Sequence, residues 1–422
     1  MKRNRWLIAL SAVGIHICIG SVYAWSVLTK PVMAAMGLSL GQTTWAFSIA
    51  ILFLGLSAGF LGGFVERMGP SRSGLLSACF FSLGMLGTGY AISVKSTALL
   101  YLFYGFIGGI GLGTGYITPV STLVKWFPRH RGFATGMAIM GFGFAALIAG
   151  PVMQHLTAAY GLVNNFPIMG CTYFVIMCVS ASYLRPPRKG ELEQSLEDVL
   201  KEEAARGNKR TILGPQMTRR EALHTWKFYA LWWIFFTNIT CGIGLLAVAS
   251  PMAQEVIGMT PAQAASLVGI IGVVNGGGRI VWSTVSDWIG RGVTYLVFFA
   301  LEVAAFYALS VTTEGLIFQA LVLLIISCYG GGFSCMPAFL SDIFGVRQLA
   351  SIHGSILTAW GIAGVAGPVI LAAMKENTGG YTATLQLFAG LLALAFLVSA
   401  VIQISNMRMK KKYVLQEQTP AE

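Results

Sequence analysis

The sequence contains few charged residues. Asp, Glu, Lys and Arg make up 10% of its 422 residues, whereas a soluble domain of average composition has about 25%. Hydrophobic residues make up 55%, and the mean hydropathy is +0.71. A protein with this composition would not stay dissolved in water, so the sequence excludes a soluble globular protein.

Motifs for metals, disulfides and catalysis are also missing. All seven cysteines fall within long apolar stretches, and no Cys-x-x-Cys pair or Cys/His cluster occurs. We therefore expect no metal site, no extracellular disulfide and no cofactor. No motif joins paired acids, or a nucleophile and a base, in these stretches, so an enzyme is not indicated.

The sequence does contain a series of long apolar runs. Twelve of them are long enough to cross a bilayer as helices, which predicts an all-α integral membrane protein. The first follows basic residues like a signal peptide, but its length and the eleven later runs indicate a retained helix. We place the spans at residues 6–28, 43–65, 73–94, 98–123, 132–155, 164–184, 228–250, 262–285, 293–312, 315–340, 350–374 and 381–405.

Positive charge is unevenly distributed between the predicted loops. With the N-terminus in the cytoplasm, all but four of the 28 Lys and Arg lie on that side, the exceptions being Lys30, Lys95, Lys375 and Arg279. The positive-inside rule then predicts that both termini are cytoplasmic in the inner membrane of the cell. The net charge of +12 indicates topology and contact with the lipid bilayer, not binding of nucleic acid.

A hydrophilic stretch divides the twelve spans into two sets of six. The fifth and eleventh spans both close with Gly-Pro, at Gly150-Pro151 and Gly367-Pro368, and recurrence of such landmarks indicates duplicated halves. We predict an N-terminal bundle at 1–184, a cytoplasmic linker at 185–227, a C-terminal bundle at 228–405 and a cytoplasmic tail at 406–422.

The turns after the second and eighth spans carry one pattern, an acid followed by Gly and Arg. They read Gly63-Phe-Val-Glu66-Arg67-Met-Gly69-Pro-Ser-Arg72 and Ser286-Asp287-Trp-Ile-Gly290-Arg291. Together with the six-plus-six arrangement, this pattern resembles the major facilitator superfamily. The resemblance implies that two halves rock about a central site, and that Glu66, Arg67, Asp287 and Arg291 form a conformational latch.

Two further segments narrow the resemblance. Gly20-Ser-Val-Tyr23-Ala-Trp25-Ser26 in the first span and Asn275-Gly-Gly-Gly-Arg279 in the eighth are similar to the oxalate/formate antiporters and the monocarboxylate transporters. The resemblance implies a carrier that works by alternating access, and carriers of this kind can work as monomers.

Arg279 is the most informative residue of the sequence. It lies eight residues from Asp287, about 12 Å below the membrane surface at about 1.5 Å per residue. A guanidinium at this depth costs at least about 2.5–3.5 kcal/mol and cannot lose its proton. No acid stands beside it in the sequence, so we expect a small carboxylate from solution to meet it. A fixed salt bridge to Glu302 in the ninth span is the alternative.

Other candidate binding residues are chosen by depth and helix face. Asn275 shares the helix face of Arg279, and tyrosine hydroxyls buried in a bilayer need partners. Ordinary aromatic packing is the alternative explanation for the tyrosines. The candidates besides Arg279 are Asn275, Tyr116, Tyr329 and Tyr23, with Leu28 and Phe333 as an apolar wall and Trp360 in the eleventh span.

Trp360 also bears on the substrate. The resemblance implies a Lys near this position in carriers that exchange oxalate, whereas this chain reads Leu357-Thr-Ala-Trp360. One Arg neutralises one carboxylate, and a dianion would keep an uncompensated charge. We therefore favour monocarboxylates such as lactate, pyruvate or acetate. An oxalate/formate-type exchanger, or a carrier or sensor for another small organic substrate, is the alternative.

Proton coupling is expected, but its residues are less clear. The resemblance to the animal-type monocarboxylate carriers implies an acidic proton site four residues before the arginine, where this chain has Asn275, which cannot titrate. The remaining candidates are Glu302 and His16, both within predicted spans. We take His353, near the start of the eleventh span, as structural.

Overall fold

The computed structural model describes residues 3–38, 40–188, 191 and 216–417. Within them, twelve helices are long and apolar enough to cross a membrane. The prediction of an all-α membrane protein with twelve spans is confirmed. Residues 189–190 and 192–215 of the predicted linker, and residues 418–422 of the predicted tail, lie outside the described residues.

The twelve helices are numbered here in chain order, and a short helix, Arg219–Leu223, precedes the seventh. Their bounds are α1 (Arg5–Gly20, Ser21–Ala24 and Trp25–Met36), α2 (Leu40–Met68), α3 (Pro70–Ser93), α4 (Thr97–Leu100, Tyr101–Ile107 and Gly108–Trp126), α5 (Arg131–Tyr160), α6 (Leu162–Tyr183), α7 (Trp226–Ile257), α8 (Pro261–Ile289), α9 (Arg291–Val311), α10 (Gly315–Phe344), α11 (Leu349–Thr378) and α12 (Thr382–Glu417).

Local sequence signals set the ends of several helices. α8 begins at a capping box in which the Thr260 hydroxyl accepts from the Gln263 N–H and the Gln263 side chain accepts from the Thr260 N–H. α7 and α11 end at glycines with φ of 66° and 73°, Gly258 and Gly379. Glycine adopts this left-handed conformation without steric cost, so the chain can turn back there.

α1 is interrupted by a single 3-10 turn at Ser21–Ala24. A Cβ at the preceding Gly20 would lie 2.6 Å from the carbonyl oxygen of Phe142, so α1 and α5 touch there backbone to backbone. The turn places the ring of Tyr23 5.1 Å from that of Phe142. The interruption therefore brings an aromatic hydroxyl to the middle of the bundle.

The helices form two halves, α1–α6 and α7–α12, that meet mainly through two helix pairs, α2 with α11 and α5 with α8. We call the face at which α1 begins and α2 ends the terminal face, and the opposite one the far face. In the first pair, a Cβ at Gly354 of α11 would overlap the carbonyl oxygen of Ala58 of α2. In the second, a Cβ at Gly143 of α5 would lie 2.9 Å from the Cα of Gly276 of α8. Small residues allow this close approach of helices.

The contact between α5 and α8 does not extend to the far face. Gly272 lies one turn from Gly276 on the same side of α8, and a Cβ there would meet no atom within 4 Å. On the terminal side, by contrast, a Cβ at Gly136 would lie 2.6 Å from the carbonyl oxygen of Arg279. The halves are therefore closed together toward the terminal face, and α5 and α8 separate toward the far face at Gly272.

We predict that Gly354→Ala destabilises this closed arrangement, because the added methyl meets a backbone carbonyl that cannot rotate away. Overpacking of this kind typically costs about 1–3 kcal/mol, so the thermal unfolding midpoint in detergent should fall. Gly272→Ala is the matched control, since it changes helix propensity equally and meets no neighbour. Equal midpoints for the two variants would contradict the packing described here.

Candidate functional site

Arg279 is fully buried in the middle of the bundle. It lies ten residues before the end of α8 at Ile289, about 15 Å along the helix axis. Its Nη1 donates to the carbonyl oxygen of Ile139 on α5 at 3.1 Å, and its Nε donates to Asn275 Oδ1 at 3.4 Å. The guanidinium of one half thus contacts the backbone of the other.

One nitrogen of this guanidinium has no protein partner. Arg279 Nη2 is buried and makes no hydrogen bond, and no carboxylate among the described residues pairs with the side chain. A buried cation in this state keeps unused donors, which a carboxylate can accept in a charge-assisted hydrogen bond. The expectation that Arg279 has no fixed acidic partner agrees with this geometry.

Glu302, the alternative partner, lies elsewhere. It is fully buried on α9, and both of its carboxylate oxygens accept from Asn238 Nδ2 of α7, at 3.0 and 3.1 Å. Glu302 therefore joins two helices of the second half and does not neutralise Arg279.

Aromatic rings enclose the guanidinium. The Arg279 Cζ lies 5.9 Å from the ring centre of Phe142 on α5 and 5.2 Å from that of Phe333 on α10. Trp360 of α11 packs edge-on against both rings, at 5.6 and 4.8 Å. Cation–π attraction partly compensates the buried charge, and the rings exclude water from the site.

Three tyrosine hydroxyls without hydrogen bonds point into this enclosure. Tyr23 of α1, Tyr116 of α4 and Tyr329 of α10 each have a buried, unpartnered Oη. The Tyr23 hydroxyl lies close enough to the Arg279 guanidinium and to the Tyr329 hydroxyl to interact electrostatically with both. Neither contact has the geometry of a hydrogen bond. The indole N–H of Trp360 is likewise buried without a partner.

We call this enclosure the central cage. It is defined by Tyr23, Tyr116 and Phe142 of the first half and by Arg279, Tyr329, Phe333 and Trp360 of the second. Both halves contribute unsatisfied donors around one positive charge. A small anion with an apolar body fits this chemistry, since its charge meets the arginine and its body meets the rings.

Of the other two predicted binding residues, Asn275 contacts Arg279 and Leu28 is buried on α1. Asn275 is 7% exposed, and its carboxamide oxygen accepts from Arg279. Leu28 is 2% exposed in the last segment of α1. Asn275 thus orients the guanidinium.

Sequence analysis missed Phe142, although Phe142 touches more cage members than any other ring described above. Its ring packs at 5.6 Å against that of Tyr116 and at 6.4 Å against that of His16. The only local signal was its place between two glycines, Gly141 and Gly143. Phenylalanine is common in membrane helices, so that signal alone does not mark a site.

The predicted latch residues lie at the terminal face. Glu66 accepts from the Ser351 hydroxyl of α11 at 2.8 Å. Asp287 pairs with Arg291 and accepts from the N–H groups of Gly132 and Phe133 at the start of α5, both at 3.0 Å. These contacts join the halves as a latch would.

Arg67 is exposed and has no ion-pair partner among the described residues. An ion pair that the sequence did not reveal joins the halves instead. Arg131 Nη1 lies 2.6 Å from Asp342 Oδ1, and both side chains are nearly buried.

The comparisons with known proteins agree with this architecture. A family profile described as Major Facilitator Superfamily matches residues 9–368. The chain is 27% identical to the oxalate:formate antiporter of Oxalobacter formigenes, over 90% of this chain and 88% of that protein. It is 25% identical to apicoplast pyruvate carrier 1 of Toxoplasma gondii, over 84% and 81%.

Among solved structures, the proton:xylose symporter XylE superposes with a TM-score of 0.71 at 15% identity, covering 93% of this chain and 94% of that one. This likeness concerns the fold alone. The resemblance inferred from the turn motifs is confirmed, and these proteins are named as transporters, in agreement with the prediction that the chain is not an enzyme.

We predict that Asp342→Asn lowers the free energy of unfolding by about 3–5 kcal/mol, because it leaves Arg131 as a buried charge without its partner. Glu255→Gln is the control, since it breaks the exposed pair of Lys375 and Glu255 and should cost no more than about 1 kcal/mol. Thermal unfolding in detergent measures both. A larger loss for Glu255→Gln would show that the Arg131 pair does not stabilise the closed terminal face.

Proposed function

The chain belongs to the major facilitator superfamily, and from that premise we propose that it is a secondary transporter of small monocarboxylates of the lactate or pyruvate type. Rocking of the two halves would expose the central cage to the two faces in turn. The observation that carries the proposal is Arg279, a fully buried guanidinium with an unpartnered Nη2 between the halves.

The charge and the lining of the cage support a monoanion. Arg279 is the only Lys or Arg that borders the cage within the described residues. A single carboxylate offsets this charge, whereas a dianion would keep a second charge in a low-dielectric site. Phe142, Phe333 and Trp360 offer apolar surface for a short aliphatic body, as expected for ligands of mostly apolar pockets.

A second candidate function is exchange of oxalate and formate. The 27% identity to the oxalate:formate antiporter supports it. Trp360 argues against it, because the resemblance implies a second cation near this position. This chain has an indole there, whose ring lies 4.8 Å from that of Phe333. We favour the monocarboxylate, and the pyruvate carrier among the relatives is consistent with this preference.

We also propose that transport is coupled to protons, with His16 and Glu302 as candidate groups. Both are fully buried, and titratable groups inside a membrane bundle are functional candidates by default. Glu302 is bound by one neutral amide, Asn238, whereas His16 contacts the cage member Tyr116.

The distribution of Lys and Arg and the two similar halves of the chain indicate how the protein is oriented in the membrane and divided into moving parts. We propose that the terminal face is cytoplasmic, that both termini lie there, and that the membrane is the inner membrane of the cell. We propose further that the bundles at 1–184 and 228–405 are the moving halves, joined by the linker at 185–227. Because residues from both halves of one chain form the cage, a monomer suffices for transport.

We predict that Arg279→Ala lowers uptake of labelled L-lactate and pyruvate into proteoliposomes at least about tenfold. Losing a hydrogen bond to a charged group removes about 1.5–3 kcal/mol, and about 1.4 kcal/mol is tenfold. Arg220→Ala, an exposed arginine outside the cage and the turn motifs, is the control and should transport normally. No uptake by the wild type, or full activity of Arg279→Ala, would refute the proposed function.

We predict that Trp360→Lys shifts the preference toward dicarboxylates, because it adds a second cation to the cage. Inhibition of labelled lactate uptake by oxalate should become at least about tenfold stronger, the effect of about 1.4 kcal/mol of added attraction. Trp360→Met is the control for loss of the indole without added charge. Equal oxalate inhibition in the two variants would contradict the charge argument.

A further inference from the structure

His16 lies between two backbone carbonyls. Its Nδ1 is 2.7 Å from the carbonyl oxygen of Ala138 on α5, and its Nε2 is 3.2 Å from that of Tyr116 on α4. The side chain is fully buried. Both ring nitrogens of His16 therefore face acceptors only.

The two hydrogen-bond partners of His16, taken by themselves, suit the protonated imidazole better than the neutral one. A neutral imidazole has one N–H and one lone pair, so one of its nitrogens would point a lone pair at a carbonyl oxygen. The imidazolium donates at both nitrogens. Burial alone disfavours the charge, but the backbones of α4 and α5 provide two acceptors for it.

Arg279 links this position to the anion. The guanidinium donates to the carbonyl of Ile139, and the imidazole contacts the carbonyl of the adjacent residue, Ala138. Two positive charges so close together repel each other strongly in a low-dielectric interior. A carboxylate bound at Arg279 removes most of this repulsion, so binding of the anion and of a proton favour each other.

A second imidazole faces the same region from the other half. His353 of α11 is 1% exposed, and neither of its ring nitrogens has a hydrogen-bond partner. Its ring centre lies 6.0 Å from that of Tyr116, which lies 5.2 Å from that of His16. His353 is thus a buried base without a partner, separated from His16 by one aromatic ring.

His353 is also placed where the halves separate. The next residue, Gly354, is in backbone contact with Ala58 of α2. Opening of the terminal face has to part α2 from α11, which would expose His353 to that face. His16, on α1 and enclosed by α4 and α5, stays with the first half.

We propose that His16 and His353 form the proton-binding site of the carrier, an inference that rests on the proposed function. His16 takes up one proton when a carboxylate binds at Arg279, and its ring then donates to both carbonyls. When the terminal face opens, water enters between the halves and accepts the proton as the N–H bond at His16 breaks. This water gives the proton to a ring nitrogen of His353, from which it leaves to the terminal face. The net result is one proton moved with one carboxylate.

The charged and titratable groups around the pair are few. Arg279 of α8, Tyr116 of α4 and Tyr23 of α1 surround His16. Glu66 of α2 lies nearer the terminal face, on Ser351. Glu302 is bound to Asn238 within the second half, so the pair functions without it.

Two transport modes in proteoliposomes test the proposal. One is accumulation of labelled L-lactate driven by an inward proton gradient, and the other is exchange of internal for external lactate at equal pH. We expect His16→Gln and His353→Gln to lose gradient-driven accumulation at least about tenfold, within the range of typical coupling between sites, and to keep exchange within about threefold. His155→Gln, an exposed histidine, is the control and should behave like the wild type. Glu302→Gln tests the other candidate group, and the proposal expects this variant to keep accumulation.

Several outcomes would overturn the proposal. One is accumulation at the wild-type level by both histidine variants, and another is loss of accumulation in Glu302→Gln alone. The last is a wild-type protein that exchanges lactate at equal pH but does not accumulate it under the proton gradient. The last would leave the carboxylate carrier intact, whereas a wild type inactive in both modes refutes the proposed function itself. If His16→Gln loses both modes, His353→Gln decides, because the His353 ring makes no hydrogen bond whose loss would disturb the fold.

Discussion

The rest of the structure depends on one constraint, a positive charge that cannot be discharged in a low-dielectric interior. A guanidinium keeps its proton in proteins, and Arg279 is fully buried between the two halves. The protein meets this constraint only in part, through two hydrogen bonds and the faces of Phe142 and Phe333. Arg279 Nη2 and three tyrosine hydroxyls remain without a hydrogen-bond partner, and a bound anion can accept hydrogen bonds from them. The substrate is therefore part of the electrostatic balance of the fold.

The same constraint connects binding to movement. Arg279 belongs to the second half but donates to Ile139 of the first, and the cage draws its aromatic rings from both. Occupancy of the cage thus affects the contact between α5 and α8. The terminal face is held by other means, namely glycine-lined backbone contacts and the buried pair of Arg131 and Asp342. The contacts at the terminal face thus stabilise the closed arrangement, and occupancy of the central cage can control whether that face opens.

Much of this was predictable from sequence. Twelve spans follow from hydropathy, and the duplicated turn motifs identify the superfamily, because both are local patterns. Arg279 and the three tyrosines could be named because charged and phenolic groups are costly at that depth, and Asn275 because it shares the helix face of Arg279. Phe142 and the ion pair of Arg131 with Asp342 were not predicted, and His353 was taken as structural. Their importance comes from which helices face each other across the two halves. Glu302 shows the same limit, because its partner, Asn238, lies 64 residues away.

The most direct test of the central claim is an experimental structure of the protein with bound L-lactate. The account predicts that a carboxylate oxygen lies within hydrogen-bond distance of Arg279 Nη2, with the aliphatic end against Phe333 or Trp360. Lactate bound outside the central cage, or an Arg279 guanidinium paired with Glu302 while lactate lies elsewhere, would contradict it.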